Sequence, residues 1–294
     1  MFRFLLTVFL ICTYFSCIGQ TDFQVHRYHD PNIGFINIYL VETSNHLVLI
    51  DAGLTNYHAE AINQLIDSLD KPLHSILLTH GHIDHYAGLS VIESKAPILS
   101  SKGVAQEIEQ NDTYYMSRFT NPQLSSLIPK TRIGPTKIVD DNYSFKIDHV
   151  RFNSHNMGAG ESLDDIYWEV THKKTKHAFV GDLVLNQMHA FFQSGYSENW
   201  KKSLIRLAKT LHPKTTIYPG HGEIGGKDIL HWQIKYIDTY KATVAELLKK
   251  GNEFGEKERA YLIDQMTDFL PGERANFLIS WSLPTIIDEL SHTN

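Results

Sequence analysis

The sequence predicts an α/β fold built as one domain. Its 294 residues are 42% apolar and 20% charged, which is typical of a globular chain with one large core. Short apolar runs that suit buried strands alternate with stretches of helical periodicity. In addition, three histidines and an aspartate directly follow one of the apolar runs, so the strand-to-helix turns are expected to carry chemistry.

Residues 1–19 are predicted to form a secretory signal peptide. The segment has one early charge, Arg3, followed by an apolar run that ends before Gln20. This run is shorter than the ~20 apolar residues that a membrane-spanning helix needs; an uncleaved anchor and a lipidated Cys17 are the alternatives. Because Cys12 and Cys17 are the two cysteines of the chain, the exported protein would have neither disulfides nor thiolate ligands.

Residues 20–294 are predicted to form the domain, with helices in its C-terminal part, 228–294. Predicted strands lie at 35–41, 46–51, 75–79, 145–153, 165–171, 177–181 and 215–218. Predicted helices lie at 59–69, 86–95 and 199–211. Residues 106–132 mix aromatic residues with prolines and suggest short helices or a lid, whose aromatic side chains either line a substrate pocket or pack on the core.

The charge balance disfavours a nucleic-acid partner. Twenty-seven Lys and Arg against 33 Asp and Glu give a net charge of −6, so no basic surplus is available to bind a phosphate backbone. The 17 histidines are the unusual count. Since imidazole is a common metal ligand, the composition indicates metal chemistry, and the expected partner is a small-molecule substrate.

The densest group of such residues is His80, His82, Asp84 and His85, which fall within six positions after a predicted buried strand. At a strand-to-helix turn, alternate residues converge on one point. Neutral imidazoles and carboxylates bind divalent ions. The segment therefore predicts a metal site built without thiolate.

Three separated motifs resemble those of the metallo-β-lactamase-fold hydrolase superfamily. The motifs are His80-x-His82-x-Asp84-His85, Phe179-Val180-Gly181-Asp182 and Tyr218-Pro219-Gly220-His221-Gly222. The upstream residues 49–53 resemble the strand and turn that support the family's site. The resemblance implies a four-layer αββα sandwich with a metal centre at one edge of the two sheets, here followed by a helical C-terminal extension.

The resemblance also implies roles for the motif residues. His80 and His82 would bind a first divalent ion, Asp84, His85 and His221 a second, and Asp182 would bridge the two. A bridging carboxylate holds two ions ~3.5–4 Å apart, and a water between them becomes a hydroxide nucleophile. Asp84 would then carry the proton to the leaving group. Zinc is the expected metal, with manganese or iron as alternatives.

The third ligand of the first ion departs from the family pattern, which has a histidine in a Gly-rich turn about twenty residues before the bridge. Here Glu161 follows Gly158-Ala159-Gly160 and lies 21 residues before Asp182, whereas His155 lies 27 residues before it. We predict Glu161 as the ligand and keep His155 as the alternative. A carboxylate in this slot makes the site less positive and better suited to harder ions.

Several residues outside the motifs are weaker candidates. His189 is placed to contact substrate at the pocket rim, or else lies in a surface turn. Asp51 is placed to accept a hydrogen bond from a ligand histidine. Phe191, Phe192 and Trp200 either form an apolar wall of the site or pack in the core.

These residues together predict an exported, dinuclear metal hydrolase that attacks an ester, lactone, amide or phosphodiester bond. The alternatives are an iron-containing redox enzyme of the same fold and a β-lactamase-like enzyme. The missing thiolate disfavours the cysteine-using β-lactamases of the family, and Leu185 stands where similar lactonases have a tyrosine.

Overall fold

Two β-sheets form the centre of the molecule. The computed structural model describes residues 22–250, 254–272 and 275–292, and the predicted signal peptide with both cysteines lies outside them. The first sheet has, in spatial order, β1 (Phe23–His29), β2 (Asn37–Thr43), β3 (Leu47–Ile50), β4 (Leu73–Leu77), β5 (Ile98–Ser100) and β6 (Lys137–Ile138). The second has β11 (Thr216–Gly222), β10 (Thr175–Asn186), β9 (Asp165–His172), β8 (Val150–Gly158) and β7 (Ser144–Ile147).

Both sheets are mixed. In the first sheet, β1, β2 and β3 pair antiparallel, and β3, β4, β5 and β6 pair parallel. In the second sheet, β7 to β10 pair antiparallel, and β11 adds to β10 in parallel. The parallel connections require crossovers, which the helices provide.

Eight helices surround the sheets in the described part of the chain. They are α1 (Asn56–Leu69), α2 (Ile83–Tyr86), α3 (Lys102–Ser117), α4 (Pro122–Leu127), α5 (Ser197–Thr210), α6 (Asp228–Lys250), α7 (Glu256–Phe269) and α8 (Phe277–Ser291). None of the described helices is long and apolar enough to span a bilayer.

Strand alternation divides the interior into two cores. On β9, Ile166 and Trp168 belong to the core that also contains residues of the first sheet, α1 and α3. The residue between them, Tyr167, belongs to the core formed with α5, α6, α7 and α8. Because successive side chains of a strand point to opposite faces, the second sheet separates these cores, and the predicted αββα layering with C-terminal helices is confirmed.

The helix predicted at 86–95 is wrong in its extent. Helix α2 ends at Tyr86 and is followed only by a 3-10 turn, Ala87–Ser90. The carbonyl of His85 accepts from the amide of Ala52 at 2.8 Å, and the amide of Gly88 donates to the carbonyl of Gly53 at 2.9 Å. Backbone groups that would continue the helix are thus bonded to the turn after β3.

The strand predicted at 145–153 is a hairpin of β7 and β8. Asp148 and His149 form its turn with φ of 46° and 72°. The Asp148 carboxylate accepts hydrogen bonds from the Asn45 amide and the Thr43 hydroxyl, both at 2.8 Å. These contacts to a distant loop fix the turn, so the local apolar pattern could not reveal it. Strands β1, β5 and β6 were not predicted.

Candidate metal centre and active-site cleft

The candidate ligands lie at the ends of strands and in the loops that follow. His80 and His82 lie between β4 and α2, and His82 precedes the first residue of α2. Asp182 lies within β10, and His221 lies near the end of β11. Parallel pairing of β10 with β11 brings their motifs to the same edge, as the sequence predicts.

Four buried side chains form a first cluster: His80, His82, Glu161 and Asp182. The Nδ1 atom of His82 lies 3.1 Å from Oε2 of Glu161, and the Nε2 atom of His80 lies 3.7 Å from the same oxygen. Oδ2 of Asp182 lies 3.8 Å from Nε2 of His80. Two imidazoles and two carboxylates therefore converge within the reach of one cation.

Asp84, His85 and His221 form a second cluster beside the first. Nε2 of His221 lies 3.3 Å from Oδ2 of Asp84 and 3.2 Å from Oδ2 of Asp182. Oδ1 of Asp182 lies 3.4 Å from Nε2 of His85. The Asp182 carboxylate thus stands between the two clusters, which is the position that a bridging ligand requires.

Hydrogen bonds behind the rings orient three of the four histidines. The Nδ1 of His221 donates to the carbonyl of Phe35 at 3.1 Å, and the Nδ1 of His85 lies 2.8 Å from Oδ2 of Asp51. The Nδ1 of His80 lies 3.1 Å from the hydroxyl of Thr79. In each case the Nε2 atom faces the clusters, and a partner on the other nitrogen fixes ring orientation in the way common to metal-bound histidines.

Asp51 occupies the supporting position that the sequence predicts. Besides facing His85, its carboxylate accepts from the amide of Thr79 at 2.9 Å and from the Thr79 hydroxyl at 2.8 Å. Its backbone is left-handed, with φ of 60°, a conformation that Asp and Asn adopt more readily than most residues. One carboxylate therefore holds both the His80 loop and His85.

Two glycines allow the clusters to form. A Cβ on Gly220 would lie 1.9 Å from Oδ1 of Asp182 and 2.9 Å from Cε1 of His85. Gly181 has φ of 54°, and a Cβ there would lie 2.5 Å from the Thr79 hydroxyl. These motif glycines are required because the backbone passes directly against the ligands.

The loop after β8 brings Glu161 into the first cluster. The Asp165 carboxylate accepts from the amide of Glu161 at 2.9 Å and from the hydroxyl of Ser162 at 2.9 Å, which closes the loop. The alternative ligand, His155, lies on β8 with its ring stacked on Tyr167 at 4.6 Å, outside both clusters. The geometry favours Glu161.

Several atoms at the centre are buried without a hydrogen-bond partner among the described residues. They are Nε2 of His80, His82 and His85, Oε1 and Oε2 of Glu161, and Oδ1 of Asp182. Buried polar atoms are nearly always paired in folded proteins. With the exception of Nε2 of His82, these atoms point into the clusters, and nitrogen and carboxylate donors of this kind fit divalent cations.

The electrostatic environment also favours cations. Burial raises the pKa of Glu161 to about 7 against the opposing effect of His82. Burial disfavours the charged form of His221, yet the Asp182 and Asp84 carboxylates raise its pKa to about 10. Burial, together with repulsion from His85, lowers the pKa of His80 well below its usual value. The carboxylates thus create a negative potential that attracts positive charge, and His80 offers a neutral ring.

Glu107, on α3, is a buried carboxylate that the sequence analysis missed. Its Oε1 accepts from the Tyr115 hydroxyl at 2.8 Å and lies 3.9 Å from Nε2 of His82, and its Oε2 has no hydrogen-bond partner among the described residues. Its position in a helix that is remote in sequence from the motifs gave no signal. A carboxylate therefore lies behind His82 as Asp51 lies behind His85.

The structure corrects the substrate-contacting role predicted for His189. Its ring is 1% exposed and its Nδ1 lies 2.9 Å from the Tyr236 hydroxyl on α6. Burial lowers the pKa of His189 to about 4, so the ring is neutral near pH 7. It lies outside both clusters and contacts Tyr236 of α6.

A cleft of about 510 Å³ opens over the clusters, and Asp84, Glu161, Asp182 and His221 lie on its wall. Its other walls are largely apolar, with Tyr114, Tyr115, Phe119, Phe191, Phe277 and Trp281 among them. The sequence left open whether these aromatic residues line the pocket or pack in the core. The aromatic residues of 106–132 and Phe191 line the cleft, whereas Phe192 and Trp200 pack in the core.

Comparisons with known proteins agree with this arrangement. The family model of the metallo-beta-lactamase superfamily matches residues 31–221. Among curated proteins, the uncharacterized YobT of Bacillus subtilis is 44% identical over 78 residues, which are 26% of this chain and 32% of YobT. The chain thus matches about a third of the length of that relative. A metallo-beta-lactamase type 2 of Bacillus sp. (strain 170) is 19% identical over 66% of this chain and 69% of the relative.

Solved structures show the same fold. A beta-lactamase domain protein from Burkholderia ambifaria has a TM-score of 0.62 at 17% identity and covers 92% of this chain and 85% of its own. A metallo-beta-lactamase from Pontibacter korlensis has a TM-score of 0.57 at 19% identity, and the match covers 74% of this chain and 95% of that protein. With a family match over most of the domain and both clusters in place, the chain belongs to the metallo-beta-lactamase superfamily.

Proposed function

We propose that the protein is a hydrolase that uses two divalent ions to cleave an ester, lactone, amide or phosphodiester bond. The observation that carries this proposal is the position of Asp182, whose two oxygens lie within 3.4 Å of His85 and His221 and 3.8 Å of His80. Pairs of ions that share a carboxylate supply an acidified water and stabilise an oxyanion.

The residues of the two clusters have different roles in this proposal. The first cluster would hold one ion and the second cluster the other, with Asp182 shared. Asp84 has the most exposed carboxylate of the two clusters, with 24% of its side chain accessible from the cleft. Hydrolysis adds the hydroxyl of one water to the carbonyl or phosphoryl centre and moves a proton to the leaving oxygen or nitrogen, and Asp84 is positioned to carry that proton.

Zinc is the proposed metal. A related solved structure, the metallo-beta-lactamase FIM-1 from Pseudomonas aeruginosa, is described in a mono-zinc form and has a TM-score of 0.52 at 19% identity. The carboxylate of Glu161 in the first cluster also suits manganese or iron, which are harder ions. Iron would be the requirement of the second candidate function, a redox enzyme of the same fold, and Glu161 is the observation that favours it.

Elemental analysis of the purified protein tests the proposal. Two zinc or manganese ions per chain, together with hydrolysis in a screen of ester, lactone, amide, β-lactam and phosphodiester substrates, are expected. Two irons per chain with no hydrolysis of the screen would favour the redox function. A single ion would contradict the shared role of Asp182.

Export is part of the proposed function and rests on residues 1–19. Fusion of this segment to a periplasmic alkaline phosphatase reporter is expected to give active enzyme outside the cytoplasm. A variant with Leu5 and Leu6 replaced by Arg interrupts the apolar run and is expected to abolish that activity. Reporter activity that is unchanged in this variant would contradict export by this segment.

A further inference from the structure

The aromatic side chains over the clusters form a continuous wall that begins at a candidate ligand. The Tyr115 ring lies 5.4 Å from the His82 ring, and the Phe191 ring lies 5.6 Å from it. Tyr114 reaches across the cleft and donates from its hydroxyl to Oε1 of Gln193 at 3.2 Å. A molecule bound at the clusters would therefore extend between apolar faces.

Helix α8 completes this wall. Phe277 and Trp281 pack edge to face with ring centroids 5.0 Å apart, and they remain 54% and 41% exposed. Tyr114 opposite them is 49% exposed. Large aromatic side chains exposed together around one concavity are typical of a binding site. Helix α8 lies beyond residue 221, where the family match ends, so Phe277 and Trp281 are the part of the wall that the C-terminal extension contributes.

One cation, Arg118, lies against the aromatic wall. The Arg118 guanidinium lies 4.9 Å from the centre of the Trp281 ring and 6.0 Å from that of Tyr114, and so joins α3 to α8. Among the described residues, no carboxylate forms an ion pair with Arg118. Arg118 lines the same cleft as the metal clusters, and it follows Tyr115 by three residues, which is about one helical turn.

This distribution of charge indicates the kind of substrate. The cleft is lined by the Arg118 cation, by apolar walls and by residues of the two metal clusters. Guanidinium groups bind carboxylates and phosphates in a planar, directional way. We propose that the enzyme prefers substrates whose acyl or aryl body spans the aromatic wall and ends in a carboxylate or other anion bound by Arg118.

This inference rests on the proposed function, because it assigns the substrate class of the same site. A cleft of about 510 Å³ lies within the range of sites that enclose most of a small organic ligand. The concave shape of the cleft and the candidate metal ligands at its base favour a small molecule over a membrane surface as the occupant of the aromatic wall.

Binding of two acids of equal length tests the anionic subsite without any turnover. We would titrate the zinc-loaded full chain with octanoate and with suberate, its eight-carbon dicarboxylate counterpart, by calorimetry. Suberate is expected to bind about fivefold or more tightly than octanoate because it places a carboxylate at each end. Arg118→Gln is expected to abolish the difference, whereas Arg151→Gln, a change on β8 outside the cleft, is expected to preserve it.

The aromatic wall is tested in the same way. Trp281→Ala is expected to weaken binding of both acids at least about fivefold. Tyr261→Ala removes an aromatic residue of the same 41% exposure on α7 and is expected to leave both affinities unchanged.

Equal affinities for the two acids in the unmodified protein, or a preference that survives Arg118→Gln, would overturn the inference. Retention on phospholipid vesicles without binding of either acid would also overturn it and assign the aromatic wall to a membrane surface.

Kinetics separate this inference from the proposed function. The 4-nitrophenyl esters of octanoate and of suberate provide matched substrates, and the suberate monoester is expected to have a kcat/KM about fivefold or more higher. Hydrolysis of both esters at equal kcat/KM would contradict the inference and leave the hydrolase function intact. Arg118-dependent binding of suberate without hydrolysis of any substrate in the screen would contradict the hydrolase function instead.

Discussion

The two candidate metal sites share Asp182 but differ in enclosure. In the first cluster no side chain is more than 7% exposed, whereas in the second Asp84 is 24% exposed and borders the cleft. Apart from the shared Asp182, each cluster has one carboxylate, Glu161 in the first and Asp84 in the second. An enclosed site should hold its ion more firmly, and a site that opens on the cleft can exchange protons with substrate. We therefore expect the first cluster to load first and the second to take part in proton transfer.

The largest effect is expected from Asp182→Ala, because this change removes the side chain that both sites share. Loss of both ions and a fall in hydrolysis of at least about 100-fold are expected, which is the upper end of what a lost supporting contact to a ligand costs. Elemental analysis and kcat/KM measure the two losses. Asp67→Ala on the exposed side of α1 serves as the control. A variant that kept two ions would disprove the shared role.

Glu161→Gln should distinguish the sites, because it removes one negative charge from the first cluster only. We expect the affinity for the first ion to fall by about 100-fold and that for the second by less than tenfold. Competition with a chromogenic chelator resolves the two affinities. Glu60→Gln, an exposed change on α1, controls for net charge. Equal loss at both sites would mean that Glu161 does not belong to one cluster.

Asp51→Asn should act mainly on the second site, since the Asp51 carboxylate faces His85. An asparagine can keep the left-handed backbone, so the change removes charge rather than shape. We expect a 10- to 100-fold loss of affinity for the second ion. The same chelator competition measures it, and a larger loss at the first site would reverse the assignment.

Glu107→Gln should have a smaller effect, because its carboxylate lies 3.9 Å from the His82 ring and makes no hydrogen bond to it. A glutamine can still accept from the Tyr115 hydroxyl. We expect less than a tenfold loss of affinity for the first ion. A loss as large as that of Asp51→Asn would show that Glu107 supports His82 directly when the ion is bound.

His189, a buried histidine outside the two clusters, is expected to make the stability of the protein depend on pH. The pKa of His189 is about 4 in the folded state, below its usual value of 6.5. Between these two pH values the His189 ring is therefore protonated in the unfolded chain and neutral in the folded state. Stability should therefore fall as pH drops from about 6.5 to about 4 and level off below, by up to about 3 kcal/mol. In urea unfolding, the stability of His189→Gln should decline less with falling pH than that of the unmodified protein. The stability of His231→Gln, a change at an exposed position, should decline as much as that of the unmodified protein. An identical decline in His189→Gln would assign the effect to other groups.

The sequence predicted the site better than it predicted its surroundings. The motifs around His80, Asp182 and His221 resemble those of a known superfamily, and this resemblance implied that they meet in one site. The helix at 86–95 failed because tertiary hydrogen bonds to residues 52–53 end α2 early. His189 was misplaced because nothing in its neighbourhood indicates that α6 covers it.

The sequence by itself indicated the αββα class through the resemblance of its three motifs to those of the superfamily, and it determined the chemistry of the candidate ligands, which depends on residue types at fixed spacings. Only the tertiary structure decided between Glu161 and His155, because their choice depends on a loop closed by Asp165. It likewise placed Glu107 behind His82 and set Arg118 against Trp281 of α8. These pairs are remote in sequence, and packing of helices on the sheets brings them together.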